Sequence, residues 1–369
     1  MRIGVPKEIK IREARVGMTP AGVRELVNDG HAVFVESNAG LGVGLEDELY
    51  VEAGARVLGD AGSVFDHAQL IVKVKEPQLE ECRRLTSEKT LFTYLHLAAD
   101  PAQADALAES GTTAIAYETV ESPDGSLPLL TPMSEVAGRM SIQVGARCLE
   151  QSAGGAGVLL GGVPGVAPGK VVVLGGGVAG TNAAEMALGL GANVTIVDRS
   201  VLRLRELMTR FEGRANTAHS TEDAIARLVA EADLVIGAVL VPGDAAPRLV
   251  TREMIRSMRT GSAVVDIAID QGGCFETSRP TTHDEPTFVV DGVVHYCVTN
   301  MPGAVARTST LALCNATLPY VRALANNGID EALASDSGLA TGLNIRAGEI
   351  AHTAVAAGLG LSHPVSLIA

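Results

Sequence analysis

Lys170-Val171-Val172-Val173-Leu174-Gly175-Gly176-Gly177-Val178-Ala179-Gly180 joins an apolar, strand-forming run to glycines spaced G-x-G-x-x-G, and an Ala-rich helical stretch follows at once. In that context each glycine has a task. The first allows a tight turn, the second lets the backbone approach a pyrophosphate, and the third lets the helix press against the strand. The helix N-terminus then presents unpaired N–H groups to the phosphates. Asp198 ends the next strand, about 20 residues on, where a carboxylate accepts hydrogen bonds from the adenosine ribose hydroxyls and repels a 2′-phosphate. Arg199 follows it and would suit NADP, but Asp198 holds the discriminating position, so the stretch predicts NAD.

The sequence on either side repeats this strand-then-helix order. Before the glycine turn, 2–5, 32–35, 70–74, 91–95 and 113–117 read as strands separated by helical stretches, the alternation expected of a parallel sheet. Thr19-Pro20 supplies an N-cap with Pro at the first helical position. The stripe Val23, Leu26, Val27 follows and Gly30 closes the helix, which should link the first two strands. From the turn onward, 170–174, 193–197, 234–239, 263–267 and 293–298 form a second series of strands. From Ala304 to about Asn326 the pattern is helical. The Ala-rich amphipathic segments beyond are too small for a third core, which predicts that the tail packs back onto the first domain. The Gly-rich stretch 154–169 reads equally as a flexible linker or as a functional loop.

A chain of 369 residues predicts roughly two domains, hence a cleft. Apolar residues make up 47%, ample for packed interiors, yet no apolar run reaches the roughly 20 residues of a bilayer span. Met1-Arg2-Ile3-Gly4-Val5-Pro6 lacks the apolar stretch and cleavage site of a secretory signal, so a cytoplasmic location is expected. Cys82, Cys148, Cys274, Cys297 and Cys314 show no C-x-x-C spacing and read as reduced core thiols. The net charge of -14, without a long basic run, argues against nucleic acid. With 3% aromatic residues and no Trp, a stacking platform or carbohydrate groove is also disfavoured, which leaves a small polar substrate.

In open α/β sheets ligands gather beyond the carboxyl ends of the strands. Arg15 lies between the first strand and its helix, Lys75 ends the 70–74 run, His96 ends the next and Glu118 the one after, so all four should crowd one edge. Each has an ordinary explanation as a solvated charge or a structural histidine. Together they supply what oxidation of a 2-amino acid or reduction of a 2-oxo acid needs. A guanidinium holds a carboxylate in a bidentate pair, an ammonium polarises a carbonyl oxygen, and an imidazole exchanges a proton near neutral pH. Asp270, in Asp266-Ile267-Ala268-Ile269-Asp270-Gln271-Gly272-Gly273, stands just past a strand of the second series. It reads either as a loop-fixing carboxylate or as a charge that orients water or ammonia. No His/Cys/Asp/Glu cluster has metal-ligand spacing, and no G-x-S-x-G turn is present.

These residues carry a resemblance along essentially the whole chain. Pro6-Lys7-Glu8 with Arg15-Val16 and Thr19-Pro20, Lys73-Val74-Lys75-Glu76-Pro77, Tyr94-Leu95-His96-Leu97-Ala98, Pro132-Met133-Ser134-Glu135-Val136-Ala137-Gly138 and the 266–273 stretch are similar to the bacterial L-alanine dehydrogenase family. The resemblance implies that Arg15 and Lys75 bind substrate, that His96 is the proton donor and acceptor, and that Asp270 is the second catalytic group. For NAD it points, beside the glycines 175, 177 and 180, to Ser134, Val178, Ala179, Asp198, Arg203, Ser220, Val239, Leu240, Ile267, Asp270, Arg279, Val298, Asn300 and Met301. Some members place a metal near Glu118 with a histidine in the late helical segment. Here that segment reads Asn326-Asn327-Gly328, so no metal is expected.

The implied architecture is α/β, with two Rossmann-like domains built on parallel sheets. A substrate domain comes from both chain ends, 1–128 and 307–369, and a central NAD-binding domain spans 129–306. The implied reaction is reversible oxidative deamination of L-alanine to pyruvate and ammonia, in a homohexamer without membrane or nucleic-acid partners. The nearest rival is the soluble, alpha-like subunit of a nicotinamide nucleotide transhydrogenase, which has no need of Arg15, Lys75 and His96. A silent NAD-sensing protein is the rival from outside enzymes.

Overall fold

A computed structural model describes residues 1–239 and 246–361. The chain divides into two compact units, the first made of 1–133 with 305–369 and the second of 134–304.

The first unit opens with β1 (Arg2–Val5), β2 (Ala32–Glu36), β3 (Arg56–Leu58), β4 (Leu70–Val72), β5 (Thr90–Thr93) and β6 (Thr113–Ala116). All pair in parallel in the spatial order β6-β5-β4-β1-β2-β3. The helix Pro20–Asn28 links β1 to β2, capped by the Thr19 side chain, which accepts from the Gly22 N–H. It ends at Gly30, whose φ of 89° closes the last turn. β4 and β5 stop short of the predicted 74 and 95, because Glu8 takes the Val74 and Lys75 N–H groups and Glu118 takes those of Leu95 and His96. A carboxylate has replaced the ladder partner at both ends.

The second unit carries β7 (Lys170–Leu174), β8 (Asn193–Asp198), β9 (Asn216–His219), β10 (Leu234–Gly237), β11 (Ala263–Asp266), β12 (Thr287–Val290) and β13 (Val293–Tyr296). Its order is β12-β13-β11-β10-β7-β8-β9, parallel except for β12 against β13. The central strands are apolar throughout because both sheet faces are covered. Val171 and Val173 belong to one core cluster and Val172 and Leu174 to another, and Leu234 and Ile236 alternate with Val235 in the same way. The Gly-rich stretch 154–169 lies wholly inside this unit. Gly157 and Val158 donate to the Leu149 carbonyl, Ala156 to Gly261, and Gly169 to Leu160, so it is a pinned loop rather than a linker.

The tail returns to the first unit, as its small size required. After the helix Ala306–Asn327, the chain forms β14 (Leu343–Arg346), antiparallel to β6, and β15 (Glu349–Ile350), antiparallel to β14. Ile345 and Val355 are buried with Ile71, Leu91 and Ala114. β3, β9, β12, β14 and β15 have no counterpart among the predicted strands. They lie at or beside sheet edges, where one-sided burial leaves sequences such as Asn216-Thr217-Ala218-His219 with little apolar signal. All five cysteines are buried and free.

Candidate active site

Both sheets share one winding. Each of the first three strands of a unit is laid down on one side of its predecessor, and the chain then crosses back to the other side of the first strand. This gives both sheets the order 3-2-1-4-5, with a topological switch point beside the first strand, the place where open α/β sheets receive ligands. In the first unit the switch lies between β1 and β4. Arg15 follows β1, Lys75 follows β4, His96 follows β5 and Glu118 follows β6, and these four strands are neighbours. The crowding expected along one edge is therefore produced by strand order, although β2 and β3 intervene in sequence.

Arg15 is buried, and Glu13 grips its guanidinium at 2.7 Å through Nε and 2.6 Å through Nη2, while Nη1 lies 3.1 Å from Met133 Sδ. Burial works against the charge, but the Glu13 carboxylate outweighs it and holds Arg15 above its ordinary value. Lys75 is half-buried, and its backbone N–H donates to Glu8. Beneath it Lys73 is fully buried between Glu81, at 2.7 Å, and Glu8, at 3.2 Å. Burial would lower the Lys73 ammonium, yet the two carboxylates overcome that and keep it charged. Of the two lysines in Lys73-Val74-Lys75, the first anchors the loop and the second is the more open.

His96 is exposed and has a left-handed backbone, φ 50° and ψ 36°. Its ring lies parallel to that of Tyr94, with centroids 5.9 Å apart, and Tyr94 is fixed by its hydroxyl, which donates to the Leu129 carbonyl at 2.6 Å. Tyr94 is also an electrostatic neighbour of Arg15, and Glu8 of both Arg15 and Lys73. Thus Glu8, Glu13 and Tyr94, which sequence reasoning did not assign, tie the three predicted residues together. Glu8 and Tyr94 stand in the family-like stretches 6–8 and 94–98, and Glu13 lies two residues before Arg15, but nothing local gave any of them a role. A cavity of about 230 Å³ opens beside this group, lined among others by Lys7, Glu8, Glu13 and Arg15.

In the second unit the glycine turn leaves β7 as expected. Gly175 has φ 98°, and a Cβ on Gly180 would lie 1.8 Å from the Gly175 carbonyl oxygen, so both must be glycine. A Cβ on Gly177 would meet nothing within 4 Å, which leaves a bare backbone surface at the N-terminus of the helix Val178–Gly189. That is the room a pyrophosphate requires. Asp198, at the end of β8, accepts the Gly176 N–H and the Ser200 N–H, each at 2.8 Å. Arg203 closes the turn from outside, donating to the Gly176 carbonyl at 2.7 Å and to Thr181 Oγ1 at 3.0 Å.

The other cofactor candidates follow neighbouring strands. Ser220 comes after β9 and donates its N–H to the Asp198 carbonyl. Val239, after β10, has Cγ2 2.9 Å from where a Gly175 Cβ would be. Ile267 and Asp270 lie on the short 3-10 helix Ile267–Gln271 after β11, with Asp270 exposed. Buried Asp266 caps that helix and binds the returning loop through the Cys274 N–H and Ser278 Oγ. Val298, Asn300, with φ 58°, and buried Met301 follow β13. Ser134 stands one turn before Gly138 on the helix Thr131–Cys148, and a Gly138 Cβ would lie 2.1 Å from the Ala179 carbonyl oxygen. Arg279 stacks on Phe288, 4.2 Å from the ring centroid. Leu240 lies outside the described residues. Among the described residues no group of three or more His, Cys, Asp or Glu could hold a metal, and no helix is long and apolar enough to cross a membrane.

Residues 4–137 match the family model described as alanine dehydrogenase/PNT, N-terminal domain, and 141–353 match that of the C-terminal domain. The chain belongs to the alanine dehydrogenase/PNT family. It is 60% identical over 363 residues to a protein of Halomonas elongata named alanine dehydrogenase, covering 98% of each chain. It is 56% identical over 364 residues to the alanine dehydrogenase of Bacillus subtilis, covering 98% of this chain and 96% of the other. Among solved structures, an L-alanine dehydrogenase superposes with a TM-score of 0.95 at 56% identity, covering 98% of this chain and 99% of the other. A Sinorhizobium meliloti transhydrogenase is less similar, with a TM-score of 0.83 at 27% identity over 96% of this chain and 100% of the other.

Proposed function

We propose that this chain catalyses the reversible oxidative deamination of L-alanine to pyruvate and ammonia, with NAD as the hydride acceptor. The observation that carries this reading is the row of Arg15, Lys75 and His96 along the carboxyl ends of adjacent strands at the switch point of the first unit. Full-length similarity to alanine dehydrogenases supports it. NAD would be held by the turn Gly175, Gly177 and Gly180 at the helix N-terminus, by Asp198 at the ribose, and by the strand-end residues of the second unit named above. When bound, it supplies the acceptor for the Cα hydride.

The chain's own residues do the rest. Arg15, its guanidinium plane fixed by Glu13, pairs with the substrate carboxylate. Lys75 stabilises charge on the oxygen that appears at Cα. His96 takes a proton from the water that adds to iminopyruvate and returns it as ammonia leaves. Asp270 steers that water and stabilises the cationic imine. By the same family resemblance the chain assembles as a homohexamer and works in the cytoplasm.

The test is an NADH-formation assay over small L-amino acids, with NADP run in parallel. Turnover with L-alanine and NAD, and little with NADP, is expected. No response to alanine overturns the proposal, and hydride exchange between nucleotides without alanine replaces it with the transhydrogenase reading. His96→Ala should lower kcat by ~10²–10⁴-fold. Near-full turnover in that variant would remove the acid–base assignment.

A further inference from the structure

We propose that Glu118 is a positioning residue for His96: its carboxylate holds the backbone of Leu95 and His96 in the conformation that presents the imidazole. This rests on reading His96 as the proton donor and acceptor.

The starting point is the backbone at residue 96. A non-glycine residue with φ 50° is strained, and it persists only where its surroundings impose it. Here the imposing group is visible. Glu118 Oε1 accepts the His96 N–H at 2.6 Å and the Leu95 N–H at 3.1 Å, while Oε2 lies 3.2 Å from the same Leu95 nitrogen. Two successive N–H groups converge on one anion when one of the pair is left-handed, so the unusual φ and the carboxylate are two sides of one feature. The His96 carbonyl also accepts the Ala99 N–H at 3.0 Å, but Glu118 is the side chain that rewards the two N–H groups for pointing the same way.

The contact with the ring is different. His96 Nδ1 is 3.9 Å from Glu118 Oε1, beyond hydrogen-bond reach, and the ring instead lies flat against Tyr94. Glu118 therefore acts through the main chain and is not the carboxylate partner of an imidazole dyad.

The carboxylate stands on a main-chain turn whose flanking residues are held. It rides on the 3-10 turn Tyr117–Thr119. The buried Tyr117 hydroxyl donates to the Lys73 carbonyl at 2.9 Å, Thr341 Oγ1 donates to the Thr119 carbonyl at 2.7 Å, and Asn344 Nδ2 donates to Thr119 Oγ1 at 2.7 Å. These three bonds fix the turn from which Glu118 projects.

The experiment uses the full-length protein with His96→Ala, Glu118→Gln, Glu118→Ala and the double variant His96→Ala/Glu118→Ala, each checked for an unchanged melting profile. Glu118→Ala should lower kcat ~10-fold or more while leaving KM for NAD within ~2-fold. Glu118→Gln, whose Oε1 still accepts both N–H groups, should recover a large part of that loss. The double variant should be no slower than His96→Ala alone, because two residues acting as one unit are not additive. Losses that multiply in the double variant, or a Gln variant as impaired as Ala, would overturn the proposal.

A crystal structure of Glu118→Ala separates the two layers of the argument. Residue 96 relaxed to negative φ supports positioning, and in that case a fully active His96→Ala sinks only the acid–base reading. Residue 96 still near its present φ refutes positioning whatever the kinetics.

Discussion

Asp266 shows how much a single buried carboxylate sets in this molecule. It ends β11, accepts N–H groups from Ala268 at 3.2 Å and Cys274 at 2.9 Å and the Ser278 hydroxyl at 2.5 Å, and so fixes both ends of the turn that carries Asp270. Burial pushes its carboxyl up to about 6, against the downward pull of those hydrogen bonds. A folded value above the ordinary 3.8 means that the native state binds the proton more tightly. Its contribution to stability is thus fully present below about pH 4 and is lost as pH rises through 6. Wild type should accordingly gain stability relative to Asp266→Asn as pH falls from about 7 to about 4, read as urea midpoints at several pH values. Parallel curves would show that Asp266 does not titrate in this range. At this scale the sequence was partly readable. Arg15, Lys75, His96 and Asp270 stood out as polar residues after apolar runs, whereas Asp266, Glu8 and Tyr94 act through contacts between distant segments that no local pattern records.

Elements were legible where the signal is local. The strand at Lys170–Leu174, the glycine turn and the Thr19-capped helix came through because apolar runs, caps and glycines are written in consecutive residues. The edge strands were not, since half their side chains face water and their identity depends on the neighbour they pair with. The turn itself makes a sharp prediction, because its glycines have different reasons. Gly177→Ala meets open space at φ -68°, so folding stability should barely change while KM for NAD rises ~10-fold, the methyl group occupying the bare surface at the helix N-terminus. Gly180→Ala drives a Cβ into the Gly175 carbonyl and should cost about 1–3 kcal/mol, seen as a lower melting temperature. The idea fails if the two variants lose stability alike, or if Gly177→Ala binds NAD normally.

For the whole molecule, the family models and the folding units cut the chain differently. The C-terminal model runs on to residue 353, whereas the second unit ends at 304 and everything after it belongs to the first. The sequence foretold that return only by exclusion, from a tail too small for its own core. The sheet pairing that accomplishes it, β14 on β6, was invisible, for Leu343-Asn344-Ile345-Arg346 is short and half polar. The second unit is continuous, so residues 134–304 expressed alone should unfold cooperatively and quench or enhance NADH fluorescence on binding. Residues 1–133 alone should do neither, lacking β14 and the buried Ile345; a soluble, cooperatively melting 1–133 fragment would contradict this. The β14–β6 pairing also has a meaning in time. Strand β6 leaves the ribosome about 230 residues before its partner, a delay on the order of 10–50 s at ordinary synthesis rates. Throughout that interval the nascent chain carries an unpaired parallel sheet edge while the second unit is made and folds behind it. The enzyme's birth is therefore a race between its own last strands and any other strand that finds β6 first, and chaperone demand should track how quickly translation reaches residue 343.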